Sequence, residues 1–531
     1  MAVKDLEAVS GSDPSSPGLS HRWGNWLVAN RALIGIVGAL VVLSFAVRSI
    51  GLRTANDIFI DELTYTELGR SIARGELPNL HGAPFLLHPP GALLLEAIYI
   101  RILGLDGGAN ADLALELRWL AAGLGSLTVG IAFLIMDRVC RRPVALGGAF
   151  LLAVDPFVLR SQTRVMLEPA GVLLLLAGWF VVILFLADPN PSRRRGRLIA
   201  GGLLLGCALV VKDMNAVFVF VPLVLAVVWR RTLDWRSAGL IASLALIPYA
   251  IYLVVLAVNG QFGLWFHYKW LGLTRMVGVR QETGFNSPGS PSVSGRIIDQ
   301  LEKFGTSYAV LAVCLIAGAA VAVVSKSPAR RLLGLLAIAA GAFSWFVALV
   351  GAFEEQFGYY VLVISVLALA VAVDELWNRS FIRPVIAVGA IVLLVGSAVL
   401  GLSSRFVVDD GITALRTWVD QELPPGSRIG MTTPTVEFSL APRAGAGVWP
   451  SLTSLSENNA EYVVTAAKPI QEGYGYAAPE LLSWLGDHAQ KIYTRATPTL
   501  GDVAVWRLDR PVVADAVRDG VGIPPVRGSH P

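Results

Sequence analysis

Long hydrophobic runs separated by short polar or charged connections dominate the sequence from about residue 32 to residue 402. A helix needs roughly 17–25 apolar residues to cross a hydrocarbon core about 30 Å thick. The first 30 residues are instead polar and rich in Ser, Pro and Gly, so we expect 1–30 to form a disordered cytoplasmic tail. The clear candidate spans are 32–47, 117–136, 143–159, 168–187, 238–258, 308–324, 332–353, 358–373 and 384–402.

Two further apolar regions are ambiguous, and the positions of charged residues decide both. If the run 89–103 crossed the membrane, the basic connection 137–142 would lie outside, against the positive-inside rule. We therefore expect 89–103 to lie in the interface or to re-enter. The run 198–229 has basic segments at both ends and Lys212-Asp213 in its middle, which favours two short spans. The chain is thus predicted to have about eleven spans, with a cytoplasmic amino terminus and an extracytoplasmic carboxyl terminus.

The same pattern divides the chain into segments. A transmembrane domain covers 31–405, with a first outer loop at 51–116 and a long outer loop at 259–305. Residues 406–510 alternate short apolar strands with helical patterns, which predicts a small extracytoplasmic α/β domain. Residues 511–531 are predicted to be a flexible tail. The predicted strands of the small domain are 428–431, 460–465 and 502–507, and its helices are 409–422 and 479–490.

The composition agrees with a polytopic α-helical membrane protein. Of the 531 residues 54% are hydrophobic and 15% are charged, whereas soluble domains carry roughly 25% charged residues. Basic residues occur in short clusters between apolar runs, which argues against nucleic-acid binding. Cys140, Cys207 and Cys314 have no metal-ligand or disulfide spacing.

Asp61 and Glu62 are adjacent carboxylates that follow the first span, and Tyr65 comes one helical turn after Asp61. An Asp at this place can cap an interfacial helix, because its oxygens accept from amides at the helix start. A general base that removes a proton from a substrate hydroxyl is the other interpretation. The residues alone leave both open.

Other polar residues on the predicted outer side have two interpretations each. His88 precedes Pro89-Pro90 and either starts a helix or donates to a phosphate or hydroxyl. Arg164 and Glu168 are four residues apart, which suits a structural ion pair or a site. Lys212 is a charge near the bilayer, and such a charge needs a partner such as Asp213 or serves a site.

Aromatic residues cluster in the long outer loop. Trp265, Phe266, Tyr268 and Trp270 are typical of an interfacial belt, and a lipid-contacting or sugar-contacting surface is the alternative.

The order of these features resembles the polyprenyl-phosphate-sugar-dependent glycosyltransferases of the GT-C fold. That group includes the protein O-mannosyltransferases and the lipid A aminoarabinose transferases. An acidic pair with a nearby Tyr opens the first outer loop of that group, and a Lys/His-Pro-Pro element starts an interfacial helix in the same loop. An acidic residue begins a later helix, and a Lys lies between two short spans. The matching residues here are Asp61-Glu62, Tyr65, His88-Pro89-Pro90, Glu168 and Lys212.

The resemblance covers roughly residues 30–405 and implies a function. It implies transfer of a sugar, with inversion, from a polyprenyl-phosphate donor to an extracytoplasmic protein, lipid or glycan acceptor. Asp61 is the implied general base and Glu62 its neighbour, while Tyr65 and Glu168 position the sugar. Lys212 and Arg164, with His88, stabilise the departing phosphate.

The resemblance also bears on cofactors and location. No cofactor and no metal are expected, although Asp61, Glu62 and Glu168 leave a divalent cation as the alternative. The Ala-, Val- and Arg-rich composition is typical of a bacterial inner membrane protein. The chain departs from the group at Glu168, where Asp is frequent, and over 354–360, where a basic residue is frequent.

Two other classes of function compete with the transferase. A transporter or lipid flippase predicts charged residues deep within several spans and two related halves. We find polar groups mainly in outer loops and no internal repeat. A non-catalytic envelope scaffold, binding a partner through the carboxyl-terminal domain, is the second alternative.

Overall fold

The computed structural model describes residues 19–279, 293–350, 355–441, 443–523 and 525. Helices make up almost all of the described chain as far as residue 406. In chain order they are α1 (Leu19–Ser49), α2 (Ile60–Ala73), α3 (Gly91–Leu103), α4 (Asn110–Val139), α5 (Arg142–Val154), α6 (Pro156–Gln162), α7 (Glu168–Ala187), α8 (Pro191–Val211), α9 (Asn215–Val228), α10 (Trp235–Val258), α11 (Phe262–Met276), α12 (Val293–Val324), α13 (Pro328–Leu349), α14 (Glu355–Leu376) and α15 (Arg383–Phe406).

Eight helices of the described chain are long and apolar enough to cross a membrane, or nine if the bent pair α5–α6 counts as one span. The two other predicted spans are α8 and α9. Four arginines begin α8, and α9 has only 14 residues with Pro222 inside. The polytopic helical architecture is therefore confirmed, and the number eleven stays a prediction.

The segments predicted to face the cytoplasm meet at one end of the helix bundle, which we call the basic end. Arg141 and Arg330 both bind Asp374, each over 2.7 Å, and Arg330 also binds Glu375. Arg230 donates to the carbonyl of Val323 over 2.8 Å. Connections that are far apart in sequence thus share one end, as their charges predict.

The opposite end, which we call the site end, carries the predicted first outer loop. There α2 and α3 pack against each other, and a short hairpin joins them through β1 (Asn79–Leu80) and β2 (Ala83–Pro84). Helix α3 has 13 residues, and at 1.5 Å per residue it is about 20 Å long. A helix of that length is too short to span, in agreement with its interpretation as interfacial.

Three predicted irregular segments contain helix. The long loop 259–305 includes α11 and the first turns of α12, since aromatic and apolar residues there recur at helical spacing. Helix α21 (Arg510–Arg518) covers the start of the predicted tail 511–531, because Val513 and its apolar neighbours at helical spacing pack on the small domain. Helix α1 begins at Leu19, within the predicted tail 1–30, and residues 1–18 lie outside the described chain.

The carboxyl-terminal residues form a small α/β unit around a five-stranded sheet of order β4-β3-β5-β7-β6. Strand β3 runs parallel to β4 and β5, and β7 runs antiparallel to β5 and β6. The elements are α16 (Gly411–Glu422), β3 (Ile429–Met431), α17 (Pro434–Leu440), β4 (Ala446–Val448), α18 (Leu452–Glu457), β5 (Tyr462–Ala466), α19 (Ala467–Gln471), α20 (Pro479–His488), β6 (Gln490–Thr497), β7 (Gly501–Arg507) and α21 (Arg510–Arg518).

This unit is docked on the site end through a shared core. Ile58 and Leu63 pack in one apolar cluster with Ile412, Leu415 and other residues of the sheet unit. The buried carboxylate of Asp57 accepts from the amide of Ile412 at the start of α16, with distances of 3.2 and 3.3 Å. The same loop therefore holds both α2 and the carboxyl-terminal unit.

Candidate active site

Glu62 is held in a fully buried ion pair with Arg118 of α4. The guanidinium donates to both carboxylate oxygens, over 2.8 and 2.9 Å. Its remaining N–H groups donate to the carbonyls of Leu52, Asn56 and Asp57. All five donors of a guanidinium are thereby used, and the loop before α2 is wrapped around a single side chain.

Glu62 accepts two more hydrogen bonds, and both come from backbone amides. One is from Phe59, the residue that caps α2, and the other is from Val165 in the connection after α6. A carboxylate with four donors and no exposed surface is suited to positioning rather than to proton transfer. This environment agrees with Glu62 being the neighbour of the base rather than the base itself.

Asp61 differs from its neighbour in exposure. It lies in the first turn of α2 and is half-buried. Successive helical residues point about 100° apart, so the same turn that buries Glu62 against Arg118 directs Asp61 elsewhere. The helix dipole favours a carboxylate at this position. Phe59 is the N-cap residue and Glu62 accepts from its amide, so Asp61 does not cap α2, and its role as a base stays a prediction.

Tyr65 and His88 are brought together. The Tyr65 hydroxyl lies 3.5 Å from Nε2 of His88, and the two rings meet edge to face with centroids 5.6 Å apart. Tyr65 is buried and His88 is half-buried. The predicted acidic helix and the predicted His-Pro-Pro element thus face one site.

Gly91 brings the His88 segment against the end of α8. A Cβ at Gly91 would lie 2.8 Å from the carbonyl oxygen of Val210, which is closer than side chains tolerate. Pro89 and Pro90 precede the helix, where a missing N–H costs nothing. The result places His88 beside the Lys212 turn.

Lys212 lies at the turn between α8 and α9 and is nearly buried. Its ammonium binds Oε1 of Glu168 and also Oε1 of Gln356, the latter over 2.6 Å. An ammonium has three donors, so one N–H remains beyond these two contacts in the described chain. The second oxygen of Glu168, Oε2, is buried without a hydrogen-bond partner there. An unused donor and an unused acceptor therefore lie side by side.

Asp213 is not the partner of Lys212. Its carboxylate binds Lys269 of α11 and the hydroxyl of Tyr249, both over 2.5 Å. Lys269 donates a second bond of 2.5 Å to the carbonyl of Leu87, the residue before His88. Helix α11 thus holds the backbone just before His88, in addition to the contact of Gly91 with α8.

Burial, with the nearby charges of Lys212, Lys269 and Arg275, lowers the pKa of His88 well below its usual range. The imidazole is therefore neutral at pH 7, with one nitrogen able to donate and the other to accept. Two of these cations, Lys212 and Lys269, are paired with the carboxylates of Glu168 and Asp213.

Arg164 lies on the side of the carboxyl-terminal unit. Its guanidinium is over the ring of Phe59 and donates to the hydroxyl of Thr499 over 3.3 Å. Thr499 in turn binds Asp409.

Within the described chain no group of three His, Cys, Asp or Glu residues is arranged to hold a metal ion.

A family model and solved structures resemble this chain. The model of the dolichyl-phosphate-mannose-protein mannosyltransferase family matches residues 38–262, less than half of the length. The structure of ArnT from Cupriavidus metallidurans bound to undecaprenyl phosphate matches with a TM-score of 0.58 and 16% identity, over 89% of this chain and 98% of that one. The chain has the GT-C fold. No curated protein sequence matches it.

A second GT-C structure agrees over a similar length. The archaeal oligosaccharyltransferase AglB from Archaeoglobus fulgidus, in complex with an inhibitory peptide and a dolichol-phosphate, matches with a TM-score of 0.58 and 12% identity. The match covers 90% of this chain and 74% of that one. The predicted resemblance to the GT-C glycosyltransferases is thereby confirmed, while the role of each site residue stays a prediction.

Two residues of this GT-C site were missed from the sequence. Arg118 could have been found, because a charge inside a predicted span needs a buried partner and Glu62 was available. Lys269 was hidden in an aromatic run that we interpreted as a membrane belt. Its contacts with Leu87 and Asp213 join segments 182 and 56 residues away, which no local pattern records.

Proposed function

We propose that this protein is an integral membrane glycosyltransferase that moves a sugar from a polyprenyl-phosphate donor to an acceptor hydroxyl. The observation that carries the proposal is the pairing of Lys212 with Glu168 beside His88. Within the described chain this pair offers one unused donor and one unused acceptor. The GT-C fold supports the choice of donor, since the relative from Cupriavidus metallidurans was solved with undecaprenyl phosphate.

In this proposal the reaction is a single displacement with inversion at the anomeric carbon. The acceptor oxygen bonds to C1 as its proton passes to the Asp61 carboxylate, and the bond from C1 to the phosphate oxygen breaks. The electron pair leaves with the lipid phosphate, whose charge Lys212 and neutral His88 stabilise through hydrogen bonds. Arg164 is proposed to assist from the side of the carboxyl-terminal unit.

The remaining residues position these groups. Glu62 fixes the start of α2 and so the direction of Asp61, and Tyr65 orients His88. The unused Oε2 of Glu168 is suited to accept from a sugar hydroxyl. We propose that no metal takes part, which predicts full activity after exhaustive chelation.

The first experiment uses purified protein in vesicles with synthetic polyprenyl-phospho-mannose, -arabinose or -hexosamine and candidate acceptors. Release of polyprenyl phosphate from one donor is the expected result. No release from any donor by well-folded protein would contradict the enzyme class and would favour a flippase or scaffold.

Asp61→Asn tests the base separately. We expect the rate of transfer to fall on the order of 10²–10⁴-fold, because a positioned base contributes about that much. Glu67→Gln on the same helix is the matched control and should transfer at the wild-type rate. If Asp61→Asn also kept that rate, another group would be the base.

We also propose that the basic end faces the cytoplasm of a bacterial cell and the site end faces outward. Clustering of arginines at one end supports this orientation through the positive-inside rule. A cysteine at Asp487 should react with an impermeant reagent added to intact cells, and one at Ser192 should not. Both positions are exposed. Labelling at Ser192 but not at Asp487 would show that the topology is the reverse of the proposed one.

A further inference from the structure

Helix α11 presents a continuous apolar stripe away from the protein. Phe262, Phe266, Trp270, Leu273 and Val277 are between 37% and 59% exposed. Their spacing of four, four, three and four residues places them on one face of a helix. A stripe of this size would be costly to leave in water.

The protein is in contact with a different face of α11. Tyr268 packs on Phe85 with ring centroids 5.3 Å apart, and Lys269 donates to the carbonyl of Leu87. A Cβ at Gly272 would meet the side chain of Leu87 at 3.5 Å. The stripe is therefore not the surface by which α11 docks on the bundle.

The two ends of α11 fix its level relative to the membrane. It begins at Phe262, a few residues after the spanning helix α10 ends at Val258. Just beyond its other end, a Cβ at Gly278 would lie 2.6 Å from the carbonyl of Val350, at the end of the spanning helix α13. Since both spans end at the site end, α11 lies across that end, parallel to the membrane plane.

Exposed apolar residues also lie at the ends of the two candidate spans that α11 connects. Val254, Val255 and Val258 at the end of α10 are 46–82% exposed, and Leu349 at the end of α13 is 80% exposed. In spanning helices such residues face acyl chains. Trp270 and the neighbouring exposed His267 provide the polar groups that suit the boundary with water.

We propose that α11 is an amphipathic helix embedded in the bilayer surface at the site end. Its stripe is buried among lipid acyl chains, His267 lies toward the headgroups and water, and Lys269 holds the His88 segment. The helix is an interaction surface for lipid, and its membrane contact is independent of the sugar or acceptor used.

Spin labels can measure this contact directly. Cys140, Cys207 and Cys314 carry no disulfide, so we would replace them by Ala and place single cysteines at Phe266, Trp270 and His267. The nitroxides are read in vesicles of phosphatidylethanolamine and phosphatidylglycerol, with oxygen and a water-soluble nickel chelate as relaxation agents. Labels at Phe266 and Trp270 should collide mainly with oxygen, and the label at His267 mainly with nickel.

Two outcomes would overturn the proposal. Equal nickel access at all three positions would place α11 in water. Labels at Phe266 and Trp270 that neither agent reaches would place the stripe against protein, such as a second copy of this chain.

A second measurement avoids the cysteine replacements. In vesicles of lipids brominated along the acyl chain, wild-type tryptophan fluorescence should be quenched more than that of Trp270→Phe. Trp265→Phe is the matched control, because Trp265 is on the protein-facing side of α11. Equal quenching in wild type and Trp270→Phe would contradict lipid contact.

Discussion

At the scale of single residues, Glu62 and Arg118 determine how the site is built. The pair makes seven hydrogen bonds in all, which could not be inferred from the sequence. The sequence predicted the acidic pair, its Tyr and His neighbours, Lys212 and Glu168 as site residues, and their roles stay predictions. It could not say which carboxylate was buried, because that depends on where α4 packs.

The first prediction concerns this ion pair. Glu62→Gln should destabilise the protein by about 3–5 kcal/mol, since it leaves the Arg118 charge buried without its counter-charge. Thermal unfolding in detergent measures the effect. Asp106→Asn, which removes the exposed pair of Asp106 with Arg74, is the control and should cost no more than about 1 kcal/mol.

If Asp106→Asn destabilised the protein more than Glu62→Gln did, the Glu62–Arg118 pair would not hold the site together. Glu62→Gln with Arg118→Gln should recover part of the loss, because both buried charges are then gone.

At the scale of elements, the helices follow from periodicity, while their contacts do not. Hydrophobic runs locate the spans, and charge correctly kept α3 out of that set. The helix in the long outer loop was missed because its apolar residues alternate with polar ones that face water and the site. The helix over residues 510–518 was missed because the Pro and Gly residues around it indicated a flexible tail.

The second prediction concerns the approach of α3 to α8. Gly91→Ala should destabilise the pair by about 1–3 kcal/mol, because the new methyl overlaps the backbone carbonyl of Val210 and backbone cannot move aside as a side chain can. We expect a lower melting temperature and, if transfer is assayed, a lower rate from displaced His88.

Gly123 provides the matched control for this substitution. It lies in α4 and has open space where a Cβ would be. Gly123→Ala should leave the rate unchanged and should not lower the melting temperature, since Ala favours a helix over Gly. If both substitutions lowered the melting temperature equally, overlap with Val210 would not be the cause.

At the scale of the whole molecule, the docked carboxyl-terminal unit should respond to pH. Burial and the neighbouring Asp409 raise the pKa of Asp57 to about 7 from its ordinary value of 3.8. At pH values between 3.8 and about 7, the Asp57 carboxyl is protonated in the folded protein and ionised in the unfolded chain. Stability therefore falls as pH rises through this window and is greatest below it.

The third prediction follows from this fall in stability with rising pH. The melting temperature of the wild type should drop more between pH 5 and pH 8 than that of Asp57→Asn, whose amide does not titrate. Identical pH slopes in the two proteins would show that Asp57 does not govern the docking. The small domain and most of its strands were predicted from the sequence. The core that this domain shares with Ile58 was not predicted, because it joins residues more than 350 apart and so has no local sequence pattern.

The bond from Lys269 to the carbonyl of Leu87 has a mechanical consequence. If α11 floats at the level set by the acyl chains, a thinner bilayer moves it relative to α8, and the strain reaches His88 through one ammonium group. Hydrophobic mismatch would then tune the proposed sugar transfer without any ligand. Transfer rates in vesicles of one headgroup and stepped acyl length should pass through a maximum, and Lys269→Met should flatten that curve.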